Sequence, residues 1–177
     1  MFIDLVRTRR SIRQFQDRPV EKEKVALLIE TVLRAPSSRG FNPWEFVVVT
    51  DPETIIRLSK AKPHGAAFLK NAPLAIVVCA DPDKSDVWVE DTSIASIMLH
   101  LAATDLGLGS CWVQIRKRDH DPEQTAGDYV TRLLGVPPGL AVASIAAIGY
   151  PAQELPPHPK ASLQYDKVSY DQYGRNG

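Results

Sequence analysis

From Val87 to Leu106 the chain reads VWVEDTSIASIMLHLAATDL, with helical spacing but almost no polar face. Ile94, Ile97, Met98, Leu101 and Ala102 share one side, while Ala95, Leu99, Ala103 and Leu106 fill much of another. A helix apolar nearly all round has to be covered on nearly all sides. At 177 residues the chain is the size of one compact domain. A helix of this kind in so small a domain points to a second subunit covering its outer side. Gly107 and Gly109 end it.

The rest of the chain divides around that helix. Residues 2–8 suit a short first helix. Pro19 opens a second, in which Val25, Leu28, Ile29, Val32 and Leu33 follow an amphipathic stripe until Pro36 stops it. PSSRGFNP is a loop with demanding backbone geometry. Trp44–Thr50 reads as a strand, and Asp51-Pro52 caps the helix after it. AKPHGAAFLKNAP is ambiguous. Leu74–Ala80 is a continuous apolar run, as in a central strand buried on both faces. Ser110–Ile115 is a third strand, residues 119–135 a further helix, and Val142–Ile148 a fourth strand. Beyond residue 151 prolines crowd and tyrosines dot a polar tail that forms no core alone. Tyr165, Tyr170 and Tyr173 are placed to pack on a neighbour. One domain spanning residues 1–177, with an arm over residues 152–177, is the expected organisation.

Lys+Arg and Asp+Glu both number 21, so no global charge drives the chain onto nucleic acid or an anionic membrane. The start, MFIDLVRTRRS, carries charge too early for a signal peptide, and no run approaches a membrane span. Cys79 and Cys111 lie in apolar runs and read as buried thiols of a reducing compartment. A cytoplasmic location is therefore expected. No Cys or His pair stands at metal-ligand spacing. His100 reads as a buried core histidine, His64 and His120 as surface loop residues, and Glu90-Asp91 as favouring a helix N-terminus. No Ser-His-Asp or Cys-His set suggests itself.

RTRRSIR places Arg7, Arg9, Arg10 and Arg13 beside the hydroxyl of Ser11. Guanidinium groups bind phosphate through paired N–H donors and stay charged, so a terminal phosphomonoester is a natural partner. A solvated basic face is the competing reading. Without interleaved aromatics or a nucleic-acid module, RNA binding is disfavoured. GLGS at 107–110 lacks the third glycine of a dinucleotide fingerprint, and it follows a helix where the fingerprint follows a strand.

In this order the segments resemble the nitroreductase family. RRSIRQF at Arg9–Phe15 is similar to its R-[RH]-S-x-[RK]-x-F signature, and APSSRGFNPWEF at Ala35–Phe46 to its A-P-S-[SA]-x-N-x-Q-P-W-x-F loop and strand. Asp91, GLGSCW at 107–112 and IGYPAQE at 148–154 also match, so the resemblance covers essentially the whole chain. It implies an α+β fold: a three-layer α/β/α sandwich with a mixed central sheet and a C-terminal arm exchanged across a homodimer. It further implies two FMN sites at the interface, each built from both subunits, and NADH or NADPH as hydride donor.

Residue by residue, the resemblance puts Arg9, Arg10, Ser11 and Arg13 on the N-terminal FMN-binding positions. Arg9 and Ser11 would meet the phosphate or ribityl chain, and Arg13 the pyrimidine side. Pro36, Ser37 and Ser38 match the loop that covers the flavin from the other subunit, with Gly40 and Asn42 as its variant positions. Gln114 and Ile115 fall by the reactive ring edge, and Lys160 on the basic position of the arm. Gly40 stands where many relatives carry Asn, Asn42 where Gln is usual, and His158 where a second basic residue often stands. The Asn and Lys that longer relatives place before the second strand have no evident counterpart. The implied activity is ping-pong hydride transfer from NAD(P)H to a small acceptor such as a nitroaromatic, quinone or flavin. The alternatives are a non-catalytic FMN-binding protein and a relative with dehalogenating or flavin-degrading chemistry.

Overall fold

The computed structural model describes residues 1–175. Its centre is a four-stranded sheet of β1 (Trp44–Val49), β2 (Leu74–Ala80), β3 (Gly109–Gln114) and β4 (Ala141–Gly149), in the order β1-β2-β4-β3. All three pairings among these strands are antiparallel. The parallel component of the sheet is confined to an isolated bridge between Ser11 and Ser110.

Four of the five α-helices among the described residues cover the two faces. On one lie α2 (Lys22–Leu33) and α4 (Trp88–Asp105), whose Leu28, Val32, Leu99 and Ala103 pack on Leu74, Ile76, Ala146 and Ile148. On the other lie α3 (Pro52–Leu58) and α5 (Ala126–Leu134), whose Ile55, Leu58 and Val130 pack on Ala75, Val77, Ile145 and Ala147. Alternate residues of β2 and β4 thus feed opposite cores, which is why both read as unbroken apolar runs. The short α1 (Phe2–Thr8) contributes no buried residue.

Local chemistry sets the ends. The Asp51 carboxylate accepts from the Thr54 N–H at 2.8 Å, with Pro52 at the first helical position. The helix expected over 119–135 begins only at Ala126, because the Asp121 side chain accepts from the Glu123 and Gln124 N–H groups and folds that stretch into a turn. Thr125 then caps the helix at the Asp128 N–H. The ambiguous segment before β2 ends in a 3-10 turn, Ala67–Asn71, with Leu69 buried. The Tyr150 hydroxyl donates to Glu21 at 2.7 Å and accepts from Lys24, tying the exit of β4 to the start of α2. That bond, with Arg18 beside it, holds the Glu21 carboxyl down at about 2.

On α4, Ala95, Leu99 and Ala103 are buried, while Ile94 and Ile97 remain 39% and 46% exposed. The outer stripe is therefore left open by this chain. So is the arm: Glu154 to Arg175 are all exposed, Leu163, Tyr165, Tyr170 and Tyr173 among them.

Two glycines are spaces. A Cβ on Gly109 would lie 2.7 Å from the Ile12 Cβ, and one on Gly149 would lie 2.6 Å from the Pro73 ring. Gly149→Ala is expected to lower stability by about 1–3 kcal/mol through overpacking against a rigid ring. Gly127→Ala, in α5 with only the Thr125 hydroxyl at 3.6 Å, is expected to be neutral or slightly stabilising. Denaturant midpoints of the two variants, at equal protein concentration, check this contrast.

Candidate functional site

After α1 the chain runs along the free edge of β3. The Ile12 N–H donates to the Ser110 carbonyl at 2.9 Å, Phe15 bridges to Pro151, and the Ala152 N–H reaches the Gln14 carbonyl. Ile12 and Phe15 are drawn into the core, and Arg13 is left exposed beside them. Ser11 is registered against Ser110 by backbone pairing, so the position of the arginine segment is set by the sheet.

The groups around that segment are mostly cationic. Burial pushes the Cys111 thiol up, opposed by the charges of Arg13, Arg9 and Lys62 and by the neighbouring Ser11 side chain. Burial lowers the Lys62 ammonium, and the Arg118 charge lowers it further. Among the described residues, none of Arg9, Arg10, Arg13 and Lys62 has a carboxylate within 4.0 Å. Arg13 lies over the Phe68 ring at 5.7 Å, and Arg10 donates to the Pro156 carbonyl at the start of the arm. Lys62 was missed by sequence reasoning, since nothing in AKPHG marks it. The fold alone brings it near Cys111.

His100 of α4 lies beneath this segment. Its Nδ1 is 2.7 Å from the Ser110 hydroxyl and its ring packs near Trp112, while its buried Nε2 has no partner among the described residues. The reading of a satisfied core histidine is thus half met. Further along β3, the Trp112 indole N–H donates to the Gln114 side-chain oxygen, and the Gln114 amide donates to the Arg116 carbonyl. The Gln114 side chain is committed locally, which leaves its main chain for any ligand.

The serine loop is built on its own hydrogen bonds. The Asn42 N–H donates to the Ser37 hydroxyl, which donates back to the Asn42 side-chain oxygen, both at 2.8 Å. Arg39, Gly40 and Asn42 all have positive φ, at 51°, 69° and 48°. Glycine and asparagine at two of these positions suit left-handed backbone. The loop is fastened to α4 by the buried Asp91, which accepts from the Ser38 N–H at 2.8 Å and from the Ser85 hydroxyl at 2.9 Å. Asp91 is therefore a loop anchor as well as a charge in the first helical turn.

One chain does not bring all these residues together. The loop hangs from Asp91, and the arginine segment sits over His100, nine residues or about 13 Å further along the helix. Pro36, Ser37, Ser38, Gly40 and Asn42 form one group; Arg9, Arg10, Ser11, Arg13 and the β3 residues form another. Lys160 lies in an exposed 3-10 turn of the arm, beyond the Pro156 carbonyl that Arg10 holds. A groove of about 520 Å³ beside Phe15 and Lys70 includes none of the candidate residues.

The His100 environment has a measurable consequence. Burial, helped by Arg9, depresses its pKa from 6.5 to about 4. Above 6.5 both folded and unfolded states leave it neutral. As pH falls below that value the unfolded chain binds a proton that the folded site refuses until about 4, so stability declines, by on the order of 3 kcal/mol in all. Acid titration of stability is expected to show a smaller loss over this window in His100→Gln than in the parent.

The chain is similar to proteins of one known family. The nitroreductase family profile matches residues 6–64 and 59–150. A solved structure of an FMN-dependent nitroreductase from Clostridium difficile R20291 superposes with a TM-score of 0.95 at 45% identity, covering 97% of this chain and 99% of that one. A protein of Archaeoglobus fulgidus, named as a candidate NADH dehydrogenase/NAD(P)H nitroreductase, is 38% identical over 86% of each chain. One of the same name from Methanothermobacter thermautotrophicus is 35% identical over 85% of this chain and 78% of its own. The sheet order, the arginine segment on its edge and a match running from residue 6 to residue 150 lead to one assignment: this chain belongs to the nitroreductase family.

Proposed function

We propose that the chain is an FMN-dependent oxidoreductase, working as a homodimer with its sites at the subunit interface. The observation that carries this is the group of cations Arg9, Arg10 and Arg13, in the segment that Ser11 pairs to the edge of β3, with Lys62 near Cys111, none of them with a carboxylate within 4.0 Å among the described residues. The residues present fit the cofactor. They offer guanidinium groups and a hydroxyl for a phosphomonoester, and a buried imidazole nitrogen lacks a partner beside them.

Bound FMN supplies the centre that takes hydride from NAD(P)H and passes it to a small acceptor, in ping-pong order. Arg9 and Ser11 hold the phosphate or ribityl chain. Arg13 would place a fixed positive charge toward the pyrimidine side, where it would stabilise the negative charge of a reduced ring. The main chain at Gln114 and Ile115 would lie by the reactive ring edge. Pro36, Ser37, Ser38, Gly40 and Asn42 close the site from the partner subunit, and Lys160 adds positive charge from the arm. A second copy also accounts for the exposed Ile94 and Ile97 stripe and the uncovered arm. It supplies the serine loop that a single chain holds too far from its own arginines. Nitroaromatics, quinones and flavins suit a flat stacking site. The rival reading, FMN binding without turnover, draws on Asn42, whose side-chain oxygen is engaged by Ser37.

The visible spectrum of the FMN-loaded protein, followed without oxygen on adding NADH or NADPH, tests the assignment. Bleaching with either donor is expected; persistent bands with both support the binding-protein reading, and no flavin uptake removes both. Arg9→Ala is expected to weaken FMN binding by about tenfold or more, the worth of a charge-assisted contact. Asp91→Ala strands the Ser38 N–H and the Ser85 hydroxyl and is expected to cost about 1–3 kcal/mol. Faster FMN loss on dilution should accompany that cost, because the covering loop loses its anchor.

A further inference from the structure

We propose that the turn Arg116–Lys117–Arg118, together with the Trp88 indole, is a subsite for the phosphorylated adenosine end of the hydride donor and favours NADPH over NADH. This rests on the oxidoreductase reading above.

The turn follows β3 directly and borders a cavity of about 350 Å³ floored by Ile115, Leu140 and Val142. Among the described residues none of its three cations has a carboxylate within 4.0 Å. Two carboxylates, Asp119 and Asp128, line the same cavity, and Asp128 is already engaged by the Thr125 hydroxyl at 2.7 Å. The rim keeps an excess of positive charge.

The turn is a built feature. Lys117 has φ +55°, a conformation costly for a residue with a long side chain. It is held by the Arg118 N–H on the Ile115 carbonyl, the Arg118 guanidinium on the Lys117 carbonyl, and the Ala126 N–H on the Arg118 carbonyl. The Arg116 guanidinium lies 5.4 Å from the centre of the Trp88 indole. A planar cation over a large aromatic ring offers flat surface for a purine, and Arg supplies donors matched to phosphate.

Position gives the class of ligand. The turn starts one residue beyond Ile115, at the strand end assigned to the reactive ring edge. Lys62 feels the charge of Arg118 and neighbours Cys111, so it lies between the arginine segment and this turn. A nicotinamide docked at the ring edge trails its phosphates past this turn. NADH and NADPH share the pyrophosphate. They differ by one phosphomonoester of nearly two charges, the group that a cluster of guanidinium and ammonium donors distinguishes best.

The test uses FMN-loaded parent protein and a combined variant, Arg116→Gln, Lys117→Asn and Arg118→Gln, in which Asn tolerates the left-handed backbone at 117. Anaerobic reduction is timed at limiting NADPH and at limiting NADH. Separately, the parent and variant, with or without FMN, are titrated calorimetrically with 2′,5′-ADP and with 5′-AMP. The expected result is a fall of about tenfold or more in the NADPH-to-NADH rate ratio, with the bound-flavin spectrum unchanged. The parent should also bind 2′,5′-ADP more tightly than 5′-AMP, and the variant should lose that margin. Equal losses for both donors, an unchanged ratio, or equal binding of the two nucleotides by the parent overturns the proposal. A parent that takes up no FMN defeats the oxidoreductase reading instead, and the nucleotide titrations still decide the subsite.

Discussion

The backbone contact between Ile12 and Ser110, made possible by the missing side chain at Gly109, organises most of what surrounds it. A short extended segment with three arginines would otherwise be a flexible basic stretch, its charges spread by mutual repulsion. Pairing with a sheet edge converts it into a row of donors in a set register. The apolar Ile12 and Phe15 fasten it, and the intervening polar residues stay outside. Burying those two side chains is worth a few kcal/mol, by the roughly 1.5–3 kcal/mol each that such burial contributes. Concentrating like charges costs less than that at a surface open to water.

The same economy of construction governs α4. Its inner face serves the core through Leu99 and Ala103, while two of its polar residues, Asp91 and His100, serve other segments. Asp91 holds the serine loop, and His100 meets Ser110 beneath the arginines. One rigid helix thereby fixes the spacing between two sets of candidate cofactor contacts. About 13 Å along the axis separates them, and the open Ile94–Ile97 stripe lies on the same helix.

Electrostatics then divides the region without any global charge. Arg9, Arg13 and Lys62 converge near Cys111, and Arg116, Lys117 and Arg118 continue the positive field past the end of β3. Burial outweighs those cations at the Cys111 thiol, which stays protonated, so this cysteine is a packing residue in a cationic setting. A net charge of zero over the chain conceals this asymmetry, since among the described residues none of these cations has a carboxylate within 4.0 Å.

Periodicity made the helices and strands legible, because each buries a stripe or a face that repeats along the chain. α2, α4 and all four strands lie within a few residues of where their apolar patterns put them. The proline and glycine punctuation of the serine loop was legible too, since positive φ at Gly40 and Asn42 is a local demand. The start of α5 was misread because Asp121 satisfies backbone donors in a turn as readily as at a helix cap. The antiparallel pairing of all four strands was decided by tertiary structure, for connection lengths alone leave strand direction open. So were the convergence of Lys62 with Arg9 and Arg13, the orphaned His100 nitrogen, and the cavity behind Arg116. Each depends on contacts between residues far apart in the chain, and a local pattern carries no information about which distant surfaces the fold will press together.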